Sequence, residues 1–361
     1  MKVLLLSCNC GGGHNAVAQA LREAFEAHGA VCTIADALQF ISSAVSSAVS
    51  RSHAFAYCRA PILARRIYEQ AETAELTESS LPYRILSVGA RRLSNYILAG
   101  RYDTVLCTHV FAGMMLSACC ARYGIQVRSG IVETDYTNSP GASCCREDRY
   151  FIPDACFAPC LTSRGIEGQR IIPCGIPVRG SFYRTVPSEQ ARIVFGVVPT
   201  HKHLVMMCGS MGCGPMESLT ATLAQCMGAG RELTVLCGGN RQLRRKLEQR
   251  YSGQPQIHIR GYTENISLLL DSADALLTKP GGSSVTEAAV KGVPMVLTDT
   301  VGGCETHNAA YLIGRGLACM ADNVPELAML CLREMTEPRR ERAPFTTRPA
   351  AEVIYETMTA L

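Results

Sequence analysis

Four absences narrow what this chain of 361 residues can be. No stretch approaches the ~20 consecutive apolar residues of a membrane span. Charged residues make up only 18% and the net charge is +4, too small an excess to argue for a nucleic-acid partner. The nineteen cysteines contain no repeated C-x-x-C and no regular framework. Several (Cys32, Cys107, Cys208, Cys237) fall in predicted strands, where a thiol acts as a small apolar residue. The one dense group, Cys144, Cys145, Cys156 and Cys160, matches no common zinc spacing, so free thiols and no metal centre are expected. There is also no G-x-G-x-x-G, no G-x-x-x-x-G-K-[ST] and no D-x-D, which leaves a dinucleotide fingerprint, a P-loop and a metal-bound diphosphate without support. The first residues run from Lys2 through a short apolar stretch straight into a glycine loop. That reads as a strand rather than a signal peptide, and predicts a cytoplasmic protein.

What the chain does have is glycine turns at the ends of predicted strands. Gly11-Gly12-Gly13-His14 follows Val3–Ser7, and a helix carrying Val17, Ala20, Leu21, Ala24 and Phe25 at helical spacing comes next, closed by Gly29. Gly209-Ser210-Met211-Gly212-Cys213-Gly214 follows Leu204–Met207, and Gly238-Gly239-Asn240 follows Leu233–Leu236. The run Lys279–Pro294 has a strand before it (Ala275–Leu277), a turn at Gly281-Gly282, a helix, and a stop at Gly292 and Pro294. Ser284 and Glu287 have capping-box spacing, so this helix is expected to start near Ser284 with Glu287 in its first turn. A glycine turn feeding a helix N-terminus offers free N–H groups and a positive dipole end to an anion, and Glu287 could accept two bonds from a ribose diol. An ordinary βαβ crossover with a good cap would account for this run alone. Four such turns together point to open α/β sheets with ligands outside the strand ends.

Strands and helices alternate throughout, which predicts parallel sheets with crossover helices. Strands are expected near 2–7, 31–35, 104–108, 127–132 and 170–173, and again near 203–208, 233–237, 256–259, 274–278, 294–298 and 317–320. At this length two domains with separate cores are expected. The Gly- and Pro-bearing stretch around 175–187 reads as the linker, with Ser188 as a candidate cap for the next helix.

The order of these pieces resembles the GT-B glycosyltransferases of the group holding the MurG transferase and the monogalactosyldiacylglycerol synthase / processive diacylglycerol glucosyltransferase family. The matching segments are Gly11–Asn15, Cys107–Phe111, Val132–Asp135, Gly175–Arg179 with Phe182, Gly261-Tyr262 and Lys279–Pro294. The resemblance implies two Rossmann-like domains with parallel sheets facing across a cleft. The first, 1–182, would bind the acceptor and dock on the membrane; the second, 183–345, would bind a UDP-sugar; residues 346–361 would cross back to the first. It implies an inverting transfer of a hexose from a UDP-hexose donor to a lipid acceptor, diacylglycerol first and a polyprenyl-linked or other glycolipid second, at the cytoplasmic face of the membrane and without a cofactor or metal. A UDP-sugar-binding protein without turnover is the non-enzymatic alternative.

Residue by residue, the resemblance sets uracil against Gly261 and Tyr262, the ribose on Glu287, and phosphates near Gly209, Ser210 and Gly212 and near Gly281, Gly282, Ser283 and Ser284. Gly12 and Gly13 join the donor set, as do Asn240 of the Cys-Gly-x-Asn turn and Glu305 and Asn308 around the sugar. Cys304 stands where the family has a glutamine, and this departure bears on which hexose is accepted. His14, an imidazole in the first glycine loop, is the candidate general base, with phosphate binding or a structural role as its alternatives; Asp135 is its rival. His109 is expected to orient or brace, and His201 and His203 to lie solvated in a turn.

The stretch Arg51–Arg101 has eight arginines and four glutamates, with apolar residues interleaved. Two readings stand: helices packed on a sheet with solvated arginines, or an anionic-membrane surface in which each cation contributes about 1 kcal/mol. The resemblance favours the second and singles out Arg65, Arg66, Arg91 and Arg92.

Overall fold

The computed structural model describes residues 1–59, 66, 76–300, 302–340 and 347–361, and the chain divides into two compact units. Unit 1 holds residues 1–180, with 302–304 and 348–361; unit 2 holds 181–301 and 305–347.

Unit 1 is built on a six-stranded parallel sheet: β1 (Lys2–Ser7), β2 (Val31–Asp36), β3 (Thr104–Cys107), β4 (Arg128–Val132), β5 (Arg149–Ile152) and β6 (Ile171–Pro173), in the order β2-β1-β3-β4-β5-β6. The central strands are apolar along their length because crossover helices cover both faces; Val3 to Leu6 are fully buried. The helix Gly12–Ala27 turns Val17, Leu21 and Phe25 inward and ends before Gly29, whose φ of 80 suits a residue without a side chain. The last helix, Ala350–Thr359, packs on it. Tyr355 meets Phe25 edge-on at 5.2 Å and stacks on His28 at 4.1 Å, while His28 Nε2 lies 2.7 Å from Glu352.

Unit 2 repeats the plan with β7 (Lys202–Met207), β8 (Arg231–Leu236), β9 (Ile257–Arg260), β10 (Ala275–Thr278), β11 (Met295–Leu297) and β12 (Ala318–Met320), in the order β12-β11-β10-β7-β8-β9, all parallel. His203 corrects its sequence reading. It lies inside β7, fully buried, with Nδ1 3.0 Å from Ser272 Oγ and Nε2 2.8 Å from Thr234 Oγ1. Burial pushes its pKa down to about 3. Ser188 likewise makes no cap: it is the first residue of the helix Ser188–Val194, which follows Pro187. One strand, β5, was not expected from the sequence; it begins in the charged run Arg146–Arg149 and no glycine turn follows it. Among the described residues no helix is long and apolar enough to cross a membrane.

Candidate functional site

In each sheet the strand order reverses once, between β1 and β3 in unit 1 and between β7 and β10 in unit 2. Such reversal points open a crevice at the carboxyl ends of the strands, where open α/β proteins bind ligands. The candidate residues gather at both.

At the first reversal the loop after β1 enters the helix Gly12–Ala27 through Gly11 (φ 101), without a side-chain cap. Gly12 and Gly13 open the helix and place His14 third, within its first turn. From there Nδ1 of His14 lies 2.8 Å from the carbonyl oxygen of Thr108, the residue that follows β3. A carbonyl only accepts, so Nδ1 carries the proton and Nε2 is the basic nitrogen. Thr134 Oγ1 sits 3.0 Å from the same Nδ1 and donates to Asp135 Oδ2 at 3.3 Å. The two candidates His14 and Asp135 thus belong to one network, joined through Thr134. Burial pushes the His14 pKa below its ordinary 6.5, with the Asp135 charge and the Thr108 carbonyl pulling the other way. The imidazole is therefore neutral near pH 7, the state a base requires. His109 braces the arrangement: its ring meets His14 edge-on at 4.5 Å, and its Nδ1 caps the helix Val110–Tyr123 by accepting the Phe111 N–H at 3.0 Å. Next to Thr134, Glu133 is buried and its pKa is pushed to about 7 by burial, against the bonds from Ser139.

At the second reversal three glycine turns interlock. Gly209, Gly212 and Gly238 have φ of 72, 59 and 55. A Cβ on Gly212 would stand 2.2 Å from the Cys237 carbonyl oxygen, and one on Gly238 2.3 Å from that of Ser210. Gly239 N–H donates to Ser210 at 2.8 Å. Asn240 stitches the turns together: its Oδ1 accepts the Leu243 N–H at the start of the helix Arg241–Arg250, and its Nδ2 donates to Gly212 at 3.1 Å. The third turn places Lys279 at the end of β10, so close to Gly209 that a Cβ there would meet Lys279 Cε at 2.9 Å. Lys279 Nζ donates to Glu305 Oε1 at 2.6 Å, and Glu305 is almost fully buried. Asn308, also buried, donates Nδ2 to the Pro280 carbonyl at 2.9 Å and fixes the same turn.

The capping box expected in this turn does not form. The helix runs Gly282–Lys291 with Gly281 as its N-cap and no side-chain bond there. Ser284 is its third residue and Glu287 its sixth, half-buried in the second turn. Pro280 and Gly281 let the chain enter the helix two residues earlier than the cap pattern implies. The Gly282, Ser283 and Ser284 N–H groups belong to the first turn, which an α-helix leaves without intrahelical acceptors. At the end of β9, Gly261 is half-buried and Tyr262 is 70% exposed; Arg244 crosses Gly261 with its guanidinium where a Cβ would clash. Cys304 opens the helix Cys304–Gly314 and is half-buried.

Sequence reasoning gave no role to Thr108, Arg244 or Lys279. Lys279 was within its reach, since it directly follows a strand that a glycine turn ends.

Of the membrane candidates, Arg66, Arg91 and Arg92 are exposed, and Arg92 donates to the Ile41 carbonyl at 2.8 Å. Arg65 lies outside the described residues. The helices Leu81–Ser87 and Ala90–Gly100 bury Leu86, Leu93 and Ile97, while Leu81, Ile85, Tyr96 and Leu98, with Val88 between the helices, stay exposed.

Comparison with known proteins fits both units. Residues 14–178 match the family model of monogalactosyldiacylglycerol (MGDG) synthase, and residues 203–324 that of the glycosyltransferase family 28 C-terminal domain. The processive diacylglycerol beta-glucosyltransferase of Staphylococcus aureus (strain Newman) is 24% identical over 272 residues, 75% of this chain and 69% of the relative. Among solved structures, MurG of Acinetobacter baumannii has a TM-score of 0.62 at 13% identity, covering 100% of this chain and 99% of that one. The UDP-GlcNAc 2-epimerase of Neisseria meningitidis, bound to UDP-GlcNAc, has a TM-score of 0.63 at 14% identity and covers both chains fully, at 100% each. The fold alone therefore does not separate transferase from epimerase; the two family models do. Matched in its two halves by glycosyltransferase family models, the chain is similar to the GT-B glycosyltransferases of the MurG and monogalactosyldiacylglycerol synthase group.

Proposed function

We propose that this enzyme moves a hexose, with inversion, from a UDP-sugar to a membrane lipid, diacylglycerol foremost. The observation that carries the reading is the convergence, at the reversal point of the second sheet, of three glycine turns, a helix N-terminus and a lysine. That is an anion site of the kind a nucleotide diphosphate fills. The diacylglycerol named in the Staphylococcus aureus relative and the UDP-sugar held by the epimerase structure support the two substrates.

In this reading Glu287 takes the ribose diol and the backbone at Gly261 and Tyr262 the uracil. The N–H groups at 209–212 and 282–284 take the phosphates, and Glu305 the hexose. His14 Nε2 removes the acceptor proton, with Nδ1 held by Thr108 and Thr134 and the resulting imidazolium supported by Asp135. The diphosphate is held without a metal. The exposed apolar residues on the helices 81–87 and 90–100, with Arg66, Arg91 and Arg92, meet an anionic membrane at the cytoplasmic face. Purified protein incubated with labelled UDP-glucose, UDP-galactose and UDP-GlcNAc in turn, with diacylglycerol present, should label lipid from one donor in preference. Cys304 favours a second reading, a UDP-sugar-binding protein without turnover; binding of UDP with no transfer from any of the three donors would select it.

A further inference from the structure

Lys279 is a side-chain cation that the structure sets directly against the glycine turns of unit 2. Its aliphatic arm lies against Gly209, which has φ of 72 and no room for a Cβ beside Lys279 Cε. Its own carbonyl accepts the Gly281 N–H at 2.9 Å, so the residue is tied into the turn that starts the helix Gly282–Lys291. Its ammonium is largely buried and bonded to the still more buried Glu305. A charge taken out of water this far is expensive unless paired. The location also puts it at the reversal of strand order, between the carboxyl ends of β7 and β10.

Resting on the UDP-sugar reading above, we propose that Lys279 is the counter-ion of the leaving diphosphate, and that Glu305 holds it until the donor arrives. Donor binding exchanges partners: Glu305 turns to hydroxyls of the hexose, and the Lys279 ammonium turns to the phosphate oxygens beside Gly209. During transfer the acceptor oxygen forms its bond to C1 as the bond from C1 to the β-phosphate oxygen breaks. The bonding pair stays on that oxygen, UDP leaves with one more negative charge, and the acceptor proton goes to the base. Lys279 neither gives nor takes a proton. It is the charge that meets the negative charge developing on UDP, in a partly dry site where such an interaction is strongest. The ion pair also keeps the empty site neutral, so it does not trap small anions before the donor binds.

Calorimetry with UDP, UMP and uridine tests this on the full chain. In the double variant Lys279→Met/Glu305→Gln, which leaves no uncompensated charge, uridine should bind as in the wild type. UDP should bind ~10–100-fold more weakly, the range for a lost charge-assisted bond. Lys279→Arg should restore most of the UDP affinity. Glu305→Gln alone should release the ammonium and tighten UDP binding by at least ~3-fold while leaving uridine unchanged. It also serves as the test should the double variant not fold. Equal UDP affinity in the double variant and the wild type, or UDP binding unchanged or weakened in Glu305→Gln, overturns the assignment. So does a parallel loss of UDP and uridine, which marks a structural role. A wild type that binds no UDP at all overturns the donor reading, and the role of Lys279 with it.

Discussion

Thr108 gives its backbone carbonyl to Nδ1 of His14 at 2.8 Å, across the point where the first sheet reverses its order. This one contact sets the tautomer and leaves Nε2 as the nitrogen able to accept a proton. Burial has already lowered the pKa of the ring below 6.5. The acid limb of the kcat/KM profile should therefore fall below the ordinary histidine range. His14→Ala should lower turnover by roughly 100-fold or more with little loss of UDP affinity. Asp135 acts on His14 to raise its pKa, so Asp135→Asn should move the acid limb to still lower pH. A limb that stays in place, or that moves upward, removes Asp135 from the network.

Glu287 is carried by the helix Gly282–Lys291 in unit 2, and its proposed partner is a sugar diol. Glu287→Ala should weaken UDP by ~2–3 kcal/mol, the cost of losing a charged hydrogen-bond partner. Calorimetry on the folded variant checks it, and unchanged affinity would move the ribose elsewhere.

The interlocked turns make a sharper structural demand. Gly212 combines φ of 59 with a Cys237 carbonyl oxygen 2.2 Å from any Cβ, and that oxygen is backbone that cannot swing aside. Gly212→Ala should pry the turns after β7 and β8 apart, lowering folding stability by more than the ~1 kcal/mol typical of a substitution, read as a lower melting temperature, and weakening UDP binding with it. Gly253, which has open space around it, is the control: Gly253→Ala should change UDP affinity not at all.

Arg66, Arg91 and Arg92 are exposed on the helical region that also exposes Ile85, Val88 and Leu98. Changing Arg65, Arg66, Arg91 and Arg92 to Glu should abolish co-sedimentation with anionic vesicles and leave UDP binding intact. Raised salt should weaken wild-type sedimentation by screening the same charges. Sedimentation of the fourfold variant at the wild-type level would remove these arginines from the membrane surface.

Much of this arrangement was legible in the chain. Apolar runs announce buried parallel strands, several of them closed by a glycine turn, and eleven of the twelve strands among the described residues coincide with segments expected from the sequence. The strand that escaped, Arg149–Ile152, begins in the charged run Arg146–Arg149 and lacks a glycine turn at its end. His203 escaped for another reason. Its neighbours His201 and Lys202 made the segment look polar, whereas its two nitrogens meet Ser272 and Thr234, distant in sequence, inside the sheet. The Ser284–Glu287 pattern misled because a cap is a matter of backbone entry, and Pro280 with Gly281 had already started the helix. The partners of His14 and Lys279 could not be read from spacing. Thr108 and Thr134 lie 94 and 120 residues from His14, and only the sheet order joins them.

The central claim is glycosyl transfer to a lipid, and product analysis tests it most directly. Purified protein should be incubated with the preferred labelled UDP-sugar and vesicles containing diacylglycerol or, separately, a polyprenyl phosphate. The lipid product should then be identified by mass spectrometry and its anomeric linkage by NMR. The account predicts label in a β-glycosyl diacylglycerol, dependent on diacylglycerol and lost in His14→Ala. Label that stays in water-soluble material, as free sugar or an epimerised nucleotide sugar, with none in lipid, would contradict it.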